Sequence, residues 1–330
     1  MPWVLRAAHR GGIVYRMELY PNKSFSVIRK TVGNKPFFYL TTRVKVGKKL
    51  KKIQVYIGKR VPNDLRPYYE RTKDKELALA EKMVAGQTVP GARITQEEYV
   101  GVERARISLL YGVVALSEAK REQWWRRFAI DFIFESNAIE GSRLSQQEVE
   151  AIVRNRYVKR FLTRNEVREV ENAIKALAMI RERNFRLSER SIITLHALVT
   201  RELGVLRGYK RRTIVVNNKP TTRPGRVRAE MSSLLAWWKR HRAAEHPFFL
   251  ALMFHQRLER IHPFEDGNGR VGRLILIWML LKEGYGIILF RNRKRRAYFS
   301  ALGKADDGRP RALFRYGITA YKDTAQKFAI

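Results

Sequence analysis

The chain changes its hydrophobic period once, near residue 60, and that change limits what it can fold into. In "SFSVIRKTV" (24–32) and "KPFFYLTTRVKVGKKLKKIQVYIGK" (35–59), β-branched and aromatic residues alternate with polar ones and break at glycines. Successive side chains of a strand point to opposite faces, so this is the pattern of a small half-buried sheet. Val44-Lys45-Val46-Gly47-Lys48-Lys49 reads as a strand entering a turn, and Ile53-Gln54-Val55-Tyr56-Ile57 as the return strand. After "RVPNDLRP" the apolar residues recur at helical spacing, near 68–86, 95–120, 121–135, 145–155, 164–184, 188–202, 226–243, 247–262, 268–283, 294–304 and 310–327. Ser188 is placed to cap the helix "ERSIITLHALVTREL", and Gly204 to stop it. The expected fold is mainly α, preceded by a small basic β-rich module. The expected divisions are 1–65 for the module, 66–135 for leading helices and 136–330 for the main helical domain.

One segment interrupts the helices. "RRTIVVNNKPTTRPGRV" (Arg211–Val227) has a strand-type run, an Asn-Asn pair and two prolines, which predicts a hairpin or extended loop. There is no Cys, so disulfides and thiolate metal sites are excluded, and a reducing compartment fits. The start lacks an apolar run of signal-peptide length, and "LILIWMLL" (Leu274–Leu281) is too short to span a bilayer. The expectation is a soluble cytoplasmic protein without a membrane partner. The net charge of +36 attracts polyanions, and it speaks to association rather than to fold. Glu18 is the only acidic residue among the first 60.

The densest chemistry lies in "RIHPFEDGNGRVGR", Arg260–Arg273. A helix ending at Pro263 leaves His262 at its end or in the following loop, since the residue before a proline is pushed out of helical geometry. Gly267 and Gly269 free the backbone to aim successive N–H groups into one concavity, and the helix that starts there adds partial positive charge. Together these make a phosphate site. Arg270 and Arg273 are three apart on the first turn and can fork onto phosphate oxygens. Asp266 is placed to hold a hard cation that also touches those phosphates. His262 is then the base that takes a proton from an attacking hydroxyl. Phe264 is read as the ring that anchors the loop in the core.

"HPFEDGNGRVGR" resembles the signature of the Fic domain, HxFx(D/E)GNGRxxR, at every specified position. "LHALVTRELGVLRGYKRRTIVV", with Gly208 and Arg211, is similar to the segment that precedes the active site in that family. "RRAYFSALGKADDG" resembles its C-terminal region. The likeness runs from about 120 to 325 and leaves the first 60 residues out. It implies a Fic-type helical bundle that moves AMP from ATP to a Ser, Thr or Tyr hydroxyl of a protein. On that model His262 is the general base and Asp266 ligates Mg²⁺ or Mn²⁺. Gly267, Asn268 and Gly269 line the anion hole, Arg270 and Arg273 bind phosphates, and Tyr298 lies near the adenine. The hairpin Thr213–Arg223, with Thr213, Val215, Asn217 and Arg223, is the flap that clamps the target by strand pairing. Two departures stand out. The flap lacks the usual Gly and Pro-Pro features, and Asp306 stands where an Asn is expected.

"FIFESNAIEGSRLSQQEVEAI" holds Ser136, Glu140 and Gly141 in the pattern (S/T)xxxE(G/N), which resembles the family's inhibitory helix, here at 136–141. Glu140 can pair with Arg273 and occupy the place of a phosphate. An ordinary surface glutamate is the alternative reading. Three further alternatives stay open: removal of AMP with the help of Glu140, a donor other than ATP, and a nucleic-acid-binding regulator with a nucleotide-sensing core. The last rests on "KVGKKLKKIQVYIGKR" with Tyr56, Phe37, Phe38 and Tyr39, although lysines that block edge pairing are the more common explanation. Trp124-Trp125 and Trp237-Trp238 are read as packing residues. A homodimer is in keeping with the family.

Overall fold

The computed structural model describes residues 5–7, 12–16, 24–46, 49–84, 94–114, 116–157, 161–182, 185–216 and 219–329. Five strands, β1 Leu5–Ala7, β2 Gly12–Arg16, β3 Ser24–Val32, β4 Lys35–Val46 and β5 Lys49–Gly58, pair antiparallel in sequence order. Gly33 and Asn34, at φ 52° and 62°, form the two-residue turn joining β3 to β4. This left-handed pair matches the twist of a hairpin. The turn expected at Gly47-Lys48 lies outside the described residues.

The period-two pattern sets the faces of the sheet. Phe25, Val27, Leu40, Val44, Ile53, Val55 and Ile57 are buried on one side, and Lys30, Arg43 and Lys52 are exposed on the other. Helix α1 (Arg66–Val84) packs across β4 and β5 and also against α2 (Gln96–Val114). Tyr69 of α1 meets the Phe25 ring edge-on at 5.2 Å. A buried ionic cluster joins these helices to the bundle. Arg106 donates to Glu76 of α1 at 3.0 Å and to Glu103 at 2.7 Å, and Tyr285 donates to Glu103 at 2.6 Å. Such buried charges are tolerated only because each has a partner.

The bundle continues with α3 (Glu118–Ile139), α4 (Gln146–Val153), α5 (Arg164–Arg181) and α6 (Glu189–Val199). A short hairpin, β6 Val215–Val216 and β7 Lys219–Pro220, precedes α7 (Pro224–His241), α8 (Pro247–Ile261) and α9 (Asn268–Lys282). A 3-10 turn at Asn292–Lys294 leads into α10 (Arg295–Asp306) and α11 (Arg311–Phe328). The interruption expected over 211–227 is therefore shorter, because α7 starts at Pro224, a residue pre-set for a first helical turn. Ser188 caps α6 by accepting from the Ser191 N–H at 3.1 Å. That helix ends at Val199, and Gly204 (φ 73°) serves the turn after it rather than the helix end.

One further finding differs from the sequence reading. Helix α3 runs unbroken through residue 136, so the break expected after 135 falls inside it, and 136–139 are its last turn rather than a separate helix. Helix α9 is buried from Asn268 to Leu281. "LILIWMLL" is thus the centre of the bundle, and no described helix is long and apolar enough to cross a membrane. Trp124, Trp125 and Trp238 are buried as expected, while Trp237 is half-buried at the edge of a cavity.

Candidate active site

The junction of α8 and α9 forms the site. Helix α8 ends at Ile261, and His262 follows in the left-handed region (φ 51°, ψ 62°). This uncommon backbone for a non-glycine residue turns the imidazole out of the helix. Phe264 is fully buried and stacks on His196 of α6 at 3.8 Å with a 7° interplanar angle. His196 Nε2 lies 3.0 Å from the Asp266 carbonyl. A carbonyl only accepts, so that nitrogen carries the proton. The loop between the helices is thereby pinned from below.

Asn268 performs a second pinning. Its Oδ1 accepts from the Phe264 N–H and its Nδ2 donates to the Phe264 carbonyl, both at 2.9 Å. Both ends of its amide are used inside the loop, so any part of Asn268 in the anion hole falls to its backbone N–H. Gly267 is in the left-handed region (φ 80°). Gly269 has ordinary helical geometry, and its lack of a Cβ serves close approach. The Glu140 carboxylate oxygen would clash with a Cβ there, and Arg273 Nη1 would lie 2.8 Å from it.

The two arginines have different partners. Arg270 donates to Asp266 Oδ2 at 2.9 Å and to Glu169 of α5 at 3.2 Å. Arg273 donates from Nε to Ser136 Oγ and from Nη2 to the Ser136 carbonyl, each at 2.9 Å, and from Nη2 to Glu140 Oε1 at 2.7 Å. Burial disfavours the charge on Arg273, and the neighbouring Glu140 carboxylate more than offsets this, so its pKa is raised. Arg270 Nε and Arg273 Nη1 are buried with no hydrogen-bond partner. Buried guanidinium donors left unmade are costly, and an anion at the junction would satisfy them.

Glu140 reaches this place because of how α3 ends. The Gly141 N–H donates to the Ala138 carbonyl and the Ser142 N–H to the Asn137 carbonyl, both at 3.0 Å, with Gly141 at φ 104°. This is a Schellman end with glycine at its left-handed position, and it leaves Glu140 as the C-cap. Arg295 donates to the Ile139 carbonyl at 2.6 Å, and the Asn292 N–H donates to Glu135 at 2.6 Å. The end of α3 is thus tied to the start of α10.

Burial lowers the His262 imidazole to about 4, and the nearby Lys210 cation acts in the same direction. The ring is neutral near pH 7 and can accept a proton. Lys210, which the sequence reading passed over, bridges the two sides of the site. Its Nζ donates to Thr221 Oγ1 of the hairpin at 2.5 Å and to the Ile261 carbonyl at 3.3 Å. Burial lowers this lysine to about 8. Glu169, Glu259 and His196 were also missed. Each is an unremarkable helical residue in sequence whose partners are remote in the chain.

Thr213, Val215 and Arg223 lie exposed on or beside the hairpin, with Val215 at 60%. Asn217 lies outside the described residues. Lys219 ties the hairpin to Asp307 at 2.8 Å. Between the hairpin, α7, α8 and α10 is a cavity of about 650 Å³ lined by Thr222, Trp237, Gln256, Arg260 and Asp306 among others. Gln256 donates to Asp306 at 2.5 Å, and burial raises the pKa of that carboxyl. Tyr298 is not in this cavity. It is 1% exposed, and its hydroxyl pairs with His255 Nε2 at 2.7 Å. It lies beside Arg273 and, so buried, offers no open face to a base, contrary to expectation.

Among the described residues no three His, Asp or Glu converge as a metal cage. Asp266 offers one hard carboxylate, 60% exposed at the mouth of the junction. That donor set suits Mg²⁺ or Mn²⁺ shared with phosphate oxygens, and it does not suit a protein-only site.

This geometry is a helical bundle with an anion cradle at a loop–helix junction, a neutral histidine beside it and a hairpin above. Residues 186–280 match the model of the Fic/DOC family. Protein adenylyltransferase Fic of Aedes aegypti is 28% identical over 210 residues, which are 62% of this chain and 41% of that protein. Its namesake from Drosophila ananassae is 25% identical over 246 residues, 72% and 48% of the two. The chain therefore spans less than half the length of these curated relatives. In fold, a Fic domain containing signaling protein from Bacteroides thetaiotaomicron has a TM-score of 0.63 at 21% identity, covering 69% of this chain and 95% of the other. Fic-1 from C. elegans, in a form with one glutamate changed to glycine, has a TM-score of 0.57 at 21% identity, covering 80% and 85%. Residues 186–280 thus match a Fic/DOC domain, and the fold around them is similar to that of Fic domain proteins.

Proposed function

We propose that this protein is an autoinhibited protein adenylyltransferase, moving AMP from ATP to a Ser, Thr or Tyr hydroxyl of another protein. The observation that carries the reading is that the Glu140 carboxylate lies against Gly269 and is bonded to Arg273 at 2.7 Å. An anion of the protein's own occupies an anion cradle. Relatives named as adenylyltransferases support the reaction class.

On this reading the substrate hydroxyl attacks the α-phosphorus of ATP, and its proton passes to neutral His262. The bond to the bridging oxygen breaks, and pyrophosphate leaves. Backbone N–H groups at Gly267 and Gly269 and the start of α9 hold phosphate oxygens. Arg270 binds phosphate after exchanging its bond to Asp266. Mg²⁺ or Mn²⁺ on Asp266 would neutralise phosphate charge. The base of the nucleotide takes the cavity beside Asp306. The hairpin holds the target segment by strand pairing. The lack of cysteine fits action in the cytoplasm.

Glu140 blocks the reaction by keeping Arg273 from the γ-phosphate, so ATP is held with its α-phosphorus out of line. A misplacement of about 1 Å can cost about 10²-fold in rate. Glu140→Gly should therefore raise labelling of protein by α-³²P-ATP about 10²-fold, and adding Arg273→Ala should return it toward the wild-type level. Equal labelling by wild type and Glu140→Gly would refute the switch. A second reading rests on the same pair: an AMP-modified protein has no γ-phosphate, so it fits with Glu140 and Arg273 still joined. Glu140 could then orient a water for removal of AMP. Loss of label from a premodified substrate, present in wild type and absent in Glu140→Gly, would identify that activity.

A further inference from the structure

The sheet has a second face that the transfer reaction does not use. Alternation along β3, β4 and β5 puts Lys30, then Phe37, Tyr39 and Arg43, then Lys52, Gln54 and Tyr56 on the side away from α1. Tyr39 and Tyr56 are directly opposed across two strands, with ring centroids 5.4 Å apart. Phe37 extends the row, 6.2 Å from Tyr56. Lys30 Nζ stands 4.6 Å from the Tyr39 centroid and donates to Gln54 Oε1 at 3.3 Å. Tyr56 is 46% exposed, and Lys30, Arg43 and Lys52 are exposed. Aromatic rings usually sit on the buried face of a sheet, but here Tyr56 is exposed and Phe37 and Tyr39 are half-buried on the outer face among cations.

The charge around this row is of one sign. Residues 24–60 carry eleven Lys and Arg and no Asp or Glu. Lysines that only guard a sheet edge against pairing would not need aromatic partners on the face. A face of aromatic rings surrounded by cations matches a chain of phosphates bearing unpaired bases. Bases stack on the rings, and lysines follow the phosphates. A duplex offers phosphates but hides its base faces, so it could use only half of this surface. We propose that the solvent face of the sheet binds single-stranded nucleic acid, with Tyr39 and Tyr56 as stacking platforms for two or three bases and Lys30, Arg43 and Lys52 as phosphate contacts.

The test uses the full chain and fluorescence anisotropy with labelled (dT)12 and (rU)12, a 12-base-pair duplex, and competition by heparin and ATP. Single strands should bind at least tenfold tighter than the duplex, and ATP should not displace them. Affinity should fall with salt at a log–log slope of about −0.7 per phosphate contacted, and Lys30→Gln with Lys52→Gln should flatten that slope by about 1.4. Tyr39→Ala with Tyr56→Ala should weaken single-strand binding by about tenfold per lost platform and leave duplex binding unchanged. Tyr39→Phe with Tyr56→Phe should bind like wild type, which separates loss of stacking from loss of fold. Ultraviolet cross-links from a 5-bromouridine-bearing strand should map to residues 37–56. Equal binding of duplex and single strand that the alanine pair does not change would reduce the effect to a general cationic field and overturn the proposal. Displacement by ATP would place the strand in the α8–α9 cradle, with the same consequence, as would no binding at all.

Discussion

Glu140 presses on Gly269: the Oε1 of the first comes too close to leave room for a Cβ on the second. Gly269 is helical and has no need of a positive φ, so its glycine serves this approach. Gly269→Ala should push the Glu140 side chain off the cradle and crowd Arg273 Nη1, which lies 2.8 Å from the new methyl. The strain disappears in part if Glu140 is first cut back. In a denaturation cycle, Gly269→Ala alone should destabilise the protein by about 1 kcal/mol more than it does in the Glu140→Gly background. Additive effects would mean that the two residues do not touch in solution.

His262 is held neutral by burial, with its pKa lowered to about 4. An unshifted histidine would lose half its base form near pH 6.5. The kcat/KM profile of the Glu140→Gly protein should therefore stay flat on its acid side from pH 8 down to about 6. It should fall only as the pH nears 4 and the ring takes a proton. His262→Ala should lower transfer about 10²–10⁴-fold while ATP binding, measured by calorimetry, survives. An acid limb centred near 6.5 would mean that His262 is solvated in the working enzyme.

The sequence carried the sheet, the helices and the α8–α9 junction because each depends on local order: alternation, helical spacing, and a proline and glycines at fixed offsets. It failed where partners come from afar. Ser136 and Asn137 are poor helix formers and good caps, so α3 reads as ending at 135. Burial of Ala138 and Ile139, and the bond from Arg295 to the Ile139 carbonyl, carry the helix one turn further. Asn268 sits between two motif glycines, and nothing local shows that its side chain both donates to and accepts from Phe264, four residues back. Lys210 and Thr221 are eleven residues apart across a hairpin, and only the folded chain puts them beside Ile261.

Asp266 is tied down on both oxygens, to Arg270 at 2.9 Å and to the Gly267 N–H at 2.6 Å. Divalent metal and donor phosphates together should displace Arg270. Asp266→Ala should abolish transfer at saturating Mg²⁺, and it should remove the ATP-dependent Mn²⁺ signal in electron paramagnetic resonance that the parent protein gives. Full transfer in EDTA, or an unchanged Mn²⁺ signal in the variant, would take Asp266 out of the site.

Glu259 makes the last prediction, and it concerns stability rather than activity. Its side chain is 15% exposed, and Oε1 has no hydrogen-bond partner and lies 3.9 Å from His255 Nδ1. Burial raises this carboxyl to about 8, and the Glu140 carboxylate nearby adds to the rise. An unfolded glutamate releases its proton near 4.3. Between those values the folded chain keeps a proton that the unfolded chain gives up, so the contribution of Glu259 to stability is greatest below about 4 and declines until about pH 8. The buried histidines act in the opposite sense. His196 and His262 are lowered to about 4 and His255 to about 3, so their share of stability is lost as the pH falls below 6.5. Comparing wild type with Glu259→Gln cancels the histidines, which both proteins share. Glutamine keeps the neutral shape and cannot ionise, so the variant should gain about 3–4 kcal/mol on wild type between pH 5 and pH 8, read from urea midpoints at constant m. If the difference between the two proteins is the same at both pH values, Glu259 titrates in the ordinary range and the carboxyl is hydrated in the folded state.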